Sequence, residues 1–111
     1  MKSLAVAFLL LGISLSAGAA EREQVCAKYA ANYGWSKGYD VQATIYSGDE
    51  LNARTGTFKY RGFSTYVVIF WQEGQASIIQ MDHSFLGFAD SPGQDQEGRR
   101  WAISTGNTFC H

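Results

Sequence analysis

Few residues in this sequence have the types and spacings that chemistry needs. Asp82-His83-Ser84 holds the three side-chain kinds of a hydrolytic triad, but neighbours on a strand point to opposite faces and cannot converge on one substrate. His83 acting with a distant serine and carboxylate would make a small hydrolase, yet no Gly-x-Ser-x-Gly elbow is present to hold a nucleophile. Asp82, Asp90, Asp95 and Glu97 offer oxygens to calcium, though their spacing matches no EF-hand loop and suits a solvated acidic turn region. Zinc lacks donors, because His83 and His111 are the two histidines and both cysteines have another use. Asp49-Glu50 and the Asp95/Glu97 pair lack the apolar surroundings that raise one carboxyl for acid catalysis. The chain therefore reads as non-enzymatic, with no metal and no cofactor expected.

Phe58-Lys59-Tyr60-Arg61-Gly62-Phe63 interleaves cations with rings, and its last three residues open like an RNP1 signature that Ser64-Thr65 then breaks. Charge opposes nucleic acid as well. The chain has 9 basic and 10 acidic residues for a net charge of −1, so it exerts little long-range pull on phosphates or anionic lipid. The remaining candidates are surface groups. Phe63, Phe85, Leu86 and Phe88 fall at strand ends or in a connection, and with Asp90 and Arg99 they form the expected binding residues.

The elements that would position these groups start after a leader. Met1-Lys2-Ser3, the apolar stretch Leu4 to Leu15 and the small residues Ala17 to Ala20 have the order of a secretory signal peptide. As a helix the apolar stretch would rise only about 18 Å, against roughly 30 Å of hydrocarbon, so no membrane anchor is expected. The expected division is a signal peptide at 1–20 and one domain at 21–111, periplasmic or secreted. Export places Cys26 and Cys110 in an oxidising compartment and predicts a bond between them. Closing so long a loop is worth roughly 4 to 5 kcal/mol in the chain-entropy model.

With 46% hydrophobic and 17% charged residues, 12 glycines and one proline in 111 residues, the chain is globular. Cys26, Tyr29, Ala30 and Tyr33 recur at helical spacing, acidic residues precede them and Gly34 follows, so 21–33 is expected to be an amphipathic helix. Alternation predicts strands at 39–46 and 57–61, with 51–55 either loop or helical turn. Tyr66 to Trp71 is an apolar run suited to a strand covered on both faces, and Glu73-Gly74 joins it to 76–82 as a hairpin. A polar loop over 90–98 and a final strand at 99–105 complete the order. The expected fold class is α+β: the N-terminal helix packed on a four- or five-stranded antiparallel sheet, closed by one disulfide.

Subtraction gives the function expected first, a small exported module that binds another protein, such as an inhibitor or immunity-type factor of the cell envelope. The alternative is a small-ligand or envelope-sensing domain with a pocket between helix and sheet lined by Tyr29, Tyr33 and Trp71. The oligomeric state is left open.

Overall fold

The computed structural model describes residues 20–83, 87, 89–106 and 110–111. It replaces the expected helix-on-sheet arrangement with a closed antiparallel barrel. Among the described residues the strands are β1 (Glu21–Ala31), β2 (Gly34–Trp35), β3 (Tyr39–Ser47), β4 (Thr65–Gln72), β5 (Gln75–Met81), β6 (Ser91–Gln94) and β7 (Arg100–Thr105), with one helix, α1 (Gly48–Thr55). Pairing runs β1-β3-β4-β5-β6-β7 and returns to β1. These six strands form the wall, and β2 is a short flap hairpinned onto the end of β1.

The segment expected to be helical is β1. Its inward residues follow a period of two: Val25, Ala27 and Tyr29 belong to the barrel core. The helical spacing shares only Tyr29 with that set, and Tyr33 is 93% exposed. Both edges of the strand are paired, Glu21–Ala27 against β3 and Val25–Tyr29 against β7. Two ladders outweigh the local helical preference of Ala and Glu, which is worth at most a few tenths of a kcal/mol per residue. Two further expectations change and an open one is decided. Residues 57–61 form no strand but a loop after α1, the loop at 90–98 contains β6, and 51–55 is the second half of α1. The β4–β5 hairpin is present as expected.

Cys26 and Cys110 are bonded, with their Cα atoms 5.5 Å apart and 84 positions between them in sequence. Cys26 points away from the core, opposite Ser104 of β7. The bridge therefore fastens the chain's last residues to the outside of β1 rather than to a helix. Gly38 is required beneath it, since a Cβ there would lie 2.8 Å from both sulfurs.

The barrel is filled by Val25, Ala27, Ala43, Val67, Ile69, Ile79, Met81, Trp101 and Ile103. Six strands leave a narrow lumen, so small residues must alternate with large ones. Gly93 shows the constraint: a Cβ would approach Ile79 Cγ2 to 2.7 Å and Met81 Sδ to 2.9 Å. Outside the wall, Tyr66 and Val68 of β4 are covered by Leu51 of α1 together with Tyr46, Tyr60 and Ile78. Tyr66 to Ile69 are thus covered on both faces, by the lumen and by α1, whereas Phe70 at the end of the apolar run is 71% exposed. The helix begins with a capping box, in which Ser47 Oγ accepts from Glu50 N (3.1 Å) and Glu50 Oε1 accepts from Ser47 N (2.8 Å).

Candidate functional site

One end of the barrel gathers the tip of the β4–β5 hairpin, the tip of the β6–β7 hairpin, and the adjoining ends of β1 and β3. Between the two tips lies a cleft of about 590 Å³, lined by Tyr29, Tyr39, Trp71, Trp101, residues 74–77, residues 95–97 and Arg99. That volume is within the range of small-molecule sites, about 300–1,000 Å³. A second hollow of about 310 Å³ lies at the other end among Arg61, Ser64, Gln80, Met81, Asp82 and Gln94. Several of its polar groups are already engaged: Gln80 Nε2 donates to Ser64 Oγ at 3.1 Å, Asp82 accepts from Arg100 and Gln94 Nε2 donates to Gly98 O.

The floor of the cleft is a cycle of four rings. Tyr29 stacks on Tyr39 (6.2 Å between centroids), Tyr39 meets Trp71 edge to face (5.7 Å), Trp71 stacks on Trp101 (6.0 Å), and Trp101 meets Tyr29 edge to face (5.6 Å). Strand parity supplies the set, because Tyr29, Trp71 and Trp101 continue the inward rows that Ala27, Ile69 and Ile103 occupy deeper in the lumen. At Trp71 the β4–β5 register shifts between Phe70 and Gln72, a bulge that turns this ring toward the opening.

Hydrogen bonds fix both indoles. Trp71 Nε1 donates to Ser77 Oγ at 2.9 Å, and Trp101 Nε1 donates to Asp95 Oδ2 at 2.9 Å. Asp95 also builds the β6–β7 tip, its Oδ1 accepting from the backbone N–H groups of Glu97 and Arg99 at 2.9 Å each. With three donors on its two oxygens, this carboxylate acts as a brace. Gln96 spans the gap between the tips. Its Oε1 accepts from Ile78 N (2.9 Å) and its Nε2 donates to Ala76 O (2.8 Å), so the side-chain amide stands in for a strand where β6 has ended.

Other groups at the mouth remain uncommitted. Among the described residues, the Glu97 carboxylate, the Gln75 amide and the phenol oxygens of Tyr29 and Tyr39 have no hydrogen-bond partner. The Arg99 guanidinium lies 4.9 Å from the Tyr29 ring centre and Lys37 Nζ lies 5.2 Å from that of Tyr39. The cleft therefore offers a rigid apolar floor ringed by unpaired donors and acceptors.

The expected binding residues are not assembled into one patch. Arg99 lines the cleft, whereas Phe63 is 100% exposed in the α1–β4 connection. Asp90 is exposed and sits 3.8 Å from Lys28 Nζ on the barrel wall. Phe85, Leu86 and Phe88 lie outside the described residues. Of the expected pocket residues, Tyr29 and Trp71 line the cleft and Tyr33 does not. Among the described residues no helical side chain lines the cleft. Tyr39 and Trp101 were missed, while the 95–97 turn lies within the polar surface loop expected at 90–98, where Asp95-Gln96-Glu97-Gly98 has the make-up of a side-chain-braced turn.

The triad residue types give no catalytic grouping among the described residues. His83 is exposed at the end of β5. Asp82 is bound to Arg100, Nη2 donating to Oδ2 at 2.7 Å and Nη1 to Oδ1 at 3.4 Å. That guanidinium holds the Asp82 carboxyl below the ordinary carboxylate range. Asp82, Asp90 and Asp95 are likewise dispersed, and no group of three or more metal-ligating side chains occurs among the described residues.

Fold and site together define a small closed β-barrel with an aromatic cleft at its mouth. Comparison with known protein families, curated proteins and solved structures finds no match for this chain.

Proposed function

We propose that this protein is an exported, non-enzymatic binding domain whose ligand is a small molecule held in the cleft at the barrel mouth. The observation that carries the reading is the pair of hydrogen-bonded indoles on the cleft floor, beneath polar groups that have no partner. Buried Tyr and Trp polar atoms normally find partners, and satisfying both indoles internally fixes the stacked pair so that the accessible part of Trp71 is free for a ligand. Preorganised rings also reduce the ordering cost of binding. The Cys26–Cys110 bond supports an oxidising location.

Intrinsic tryptophan fluorescence and indole NMR resonances, followed while a chemically diverse small-molecule library is screened, test the reading. Ligands are expected to perturb the Trp71 signals first. A library that leaves Trp71 unmoved while binding elsewhere, or that does not bind at all, would refute it.

The protein-binding reading is supported by a different observation. Phe58 and Phe63, 97% and 100% exposed, stand on the α1–β4 connection at the far end from the cleft, and large exposed rings anchor protein interfaces. Envelope extract passed over immobilised wild-type and Phe58→Ser/Phe63→Ser protein tests it. A specific partner lost by the double variant would support an inhibitor or immunity-type role, and identical retention by both proteins would oppose it.

A further inference from the structure

We infer that the ligand of the cleft is a saccharide, with one pyranose ring lying flat on Trp71; this rests on the small-molecule reading of the same site. The floor and the rim make different demands. Trp71 is 37% exposed and Trp101 only 4%, so Trp71 supplies the accessible face while Trp101 supports it from below. The Trp71 nitrogen is already bonded to Ser77 Oγ, which leaves the floor able to offer dispersion and π contacts but no hydrogen bond. A ligand resting there must present a flat apolar face.

Around that face stand groups that want polar partners in the plane of the ligand. Glu97 accepts, Arg99 donates, and Gln75 and the phenols of Tyr29 and Tyr39 do both. A pyranose has this distribution, with C–H bonds on its faces and hydroxyls around its edge that both donate and accept. Other flat or ring-seeking ligands fit less well. A nucleotide brings phosphate to a rim in which Glu97 offsets Arg99, on a chain whose net charge is −1. A planar aromatic would stack but leave the rim unpaired, which is costly for polar groups covered by a ligand. A quaternary ammonium needs a vacant aromatic cage. Here the rings pack on one another, and Arg99 and Lys37 already lie over Tyr29 and Tyr39.

The test titrates purified, disulfide-bonded protein with tetrasaccharides of α- and β-linked glucose and of N-acetylglucosamine, and in parallel with adenosine monophosphate, indole and choline. The readouts are tryptophan fluorescence and the Trp71 indole N–H resonance. At least one tetrasaccharide is expected to bind with a Kd of roughly 1 mM or tighter, shifting Trp71 more than Trp101. Trp71→Ala should weaken it at least about tenfold while Trp71→Phe, which keeps a flat ring, retains part of the affinity. Trp101 near-ultraviolet dichroism confirms that each variant is folded. Saturable binding of adenosine monophosphate, indole or choline at Trp71 without any tetrasaccharide would overturn the saccharide assignment and leave the small-molecule reading standing. No response to any compound at about 10 mM would overturn the saccharide assignment, and a blank diverse library would remove the small-molecule reading with it. Tetrasaccharide binding untouched by Trp71→Ala would place the sugar elsewhere and refute the stacking geometry.

Discussion

Gln96 offers the sharpest check on how the mouth is built, because one exposed side chain there replaces a missing segment of ladder. Truncation in Gln96→Ala removes two hydrogen bonds, to Ile78 N at 2.9 Å and to Ala76 O at 2.8 Å. At a net 0.5–1.5 kcal/mol for each bond, the loss is about 1–3 kcal/mol, weighted to the lower half because water can reach both groups. With a urea m-value near 1 kcal/mol/M for a domain of this size, the unfolding midpoint should fall by roughly 1–2 M. Hydrogen exchange gives a local reading, since the Ile78 amide should exchange faster while that of Ile79 in the same strand keeps its protection. Gln96→Glu adds a sign. A carboxylate at this position still accepts from Ile78 N but turns an oxygen toward the Ala76 carbonyl, which raises its folded-state pKa above that of an unfolded glutamate, about 4.3. The variant should thus be closest to wild type below about pH 4 and lose ground as pH rises through the folded value. An Ile78 amide that exchanges equally slowly in wild type and Gln96→Ala would refute the strand-replacement argument.

Replacing Cys26 and Cys110 by alanine should cost about 4.5 kcal/mol by the chain-entropy relation for an 84-residue loop, while the β1–β7 ladder keeps the barrel topology; a urea-midpoint change worth under about 1 kcal/mol would show that the bridge does not restrain the unfolded chain. Gly48→Ala would drive its Cβ into the Arg61 carbonyl and displace the loop that receives Gly48 N (2.9 Å to Ser64 O) and Asp49 N (3.2 Å to Gly62 O). A loss of about 2–3 kcal/mol is expected in thermal unfolding, and a melting temperature equal to wild type would contradict it. Arg100 depresses the Asp82 pKa, so the pair contributes above the unfolded aspartate value, about 3.9, and its contribution disappears as pH falls through the lower folded value. Both partners are solvent-accessible, which keeps the effect below about 1 kcal/mol. Asp82→Asn should accordingly be less stable than wild type at pH 7 and nearly equal near pH 2, and a gap independent of pH would falsify the assignment.

Local pattern made parts of this protein legible. Tyr66 to Trp71 lacked the polar positions of a half-exposed strand, and its first four residues lie between the lumen and the layer built on α1, but Phe70 is 71% exposed. The turn pair Glu73-Gly74 marked the β4–β5 hairpin because Gly74 supplies the positive φ of 79° that the turn needs. Two cysteines at opposite ends of the domain required one another. The capping box at Ser47 to Glu50 was equally local, yet it passed as a simple strand break since an eight-residue helix of about two turns carries only Leu51 as a large apolar marker.

The N-terminal segment was not legible in the same way. Glu21 to Tyr33 satisfies a helical period through Cys26, Tyr29, Ala30 and Tyr33 and a strand period through Val25, Ala27 and Tyr29. Nothing within the segment ranks one above the other. The choice was made by β3 and β7, which arrive from far along the chain to bond both edges of β1, and by Cys110, which covers the outward Cys26. The cleft has the same origin. Tyr29, Tyr39, Trp71 and Trp101 are scattered over four strands and meet because barrel closure brings their ends to one mouth, and β6 is so short that Gln96 must bridge the gap beside them. The sequence by itself determined the cysteine pairing, the hairpin and the presence of the strand at Tyr66 to Trp71, each set by neighbours or by composition. Only the tertiary structure decided the state of the first segment and the existence of a site, because both depend on hydrogen bonds and ring contacts between residues that have no local relation.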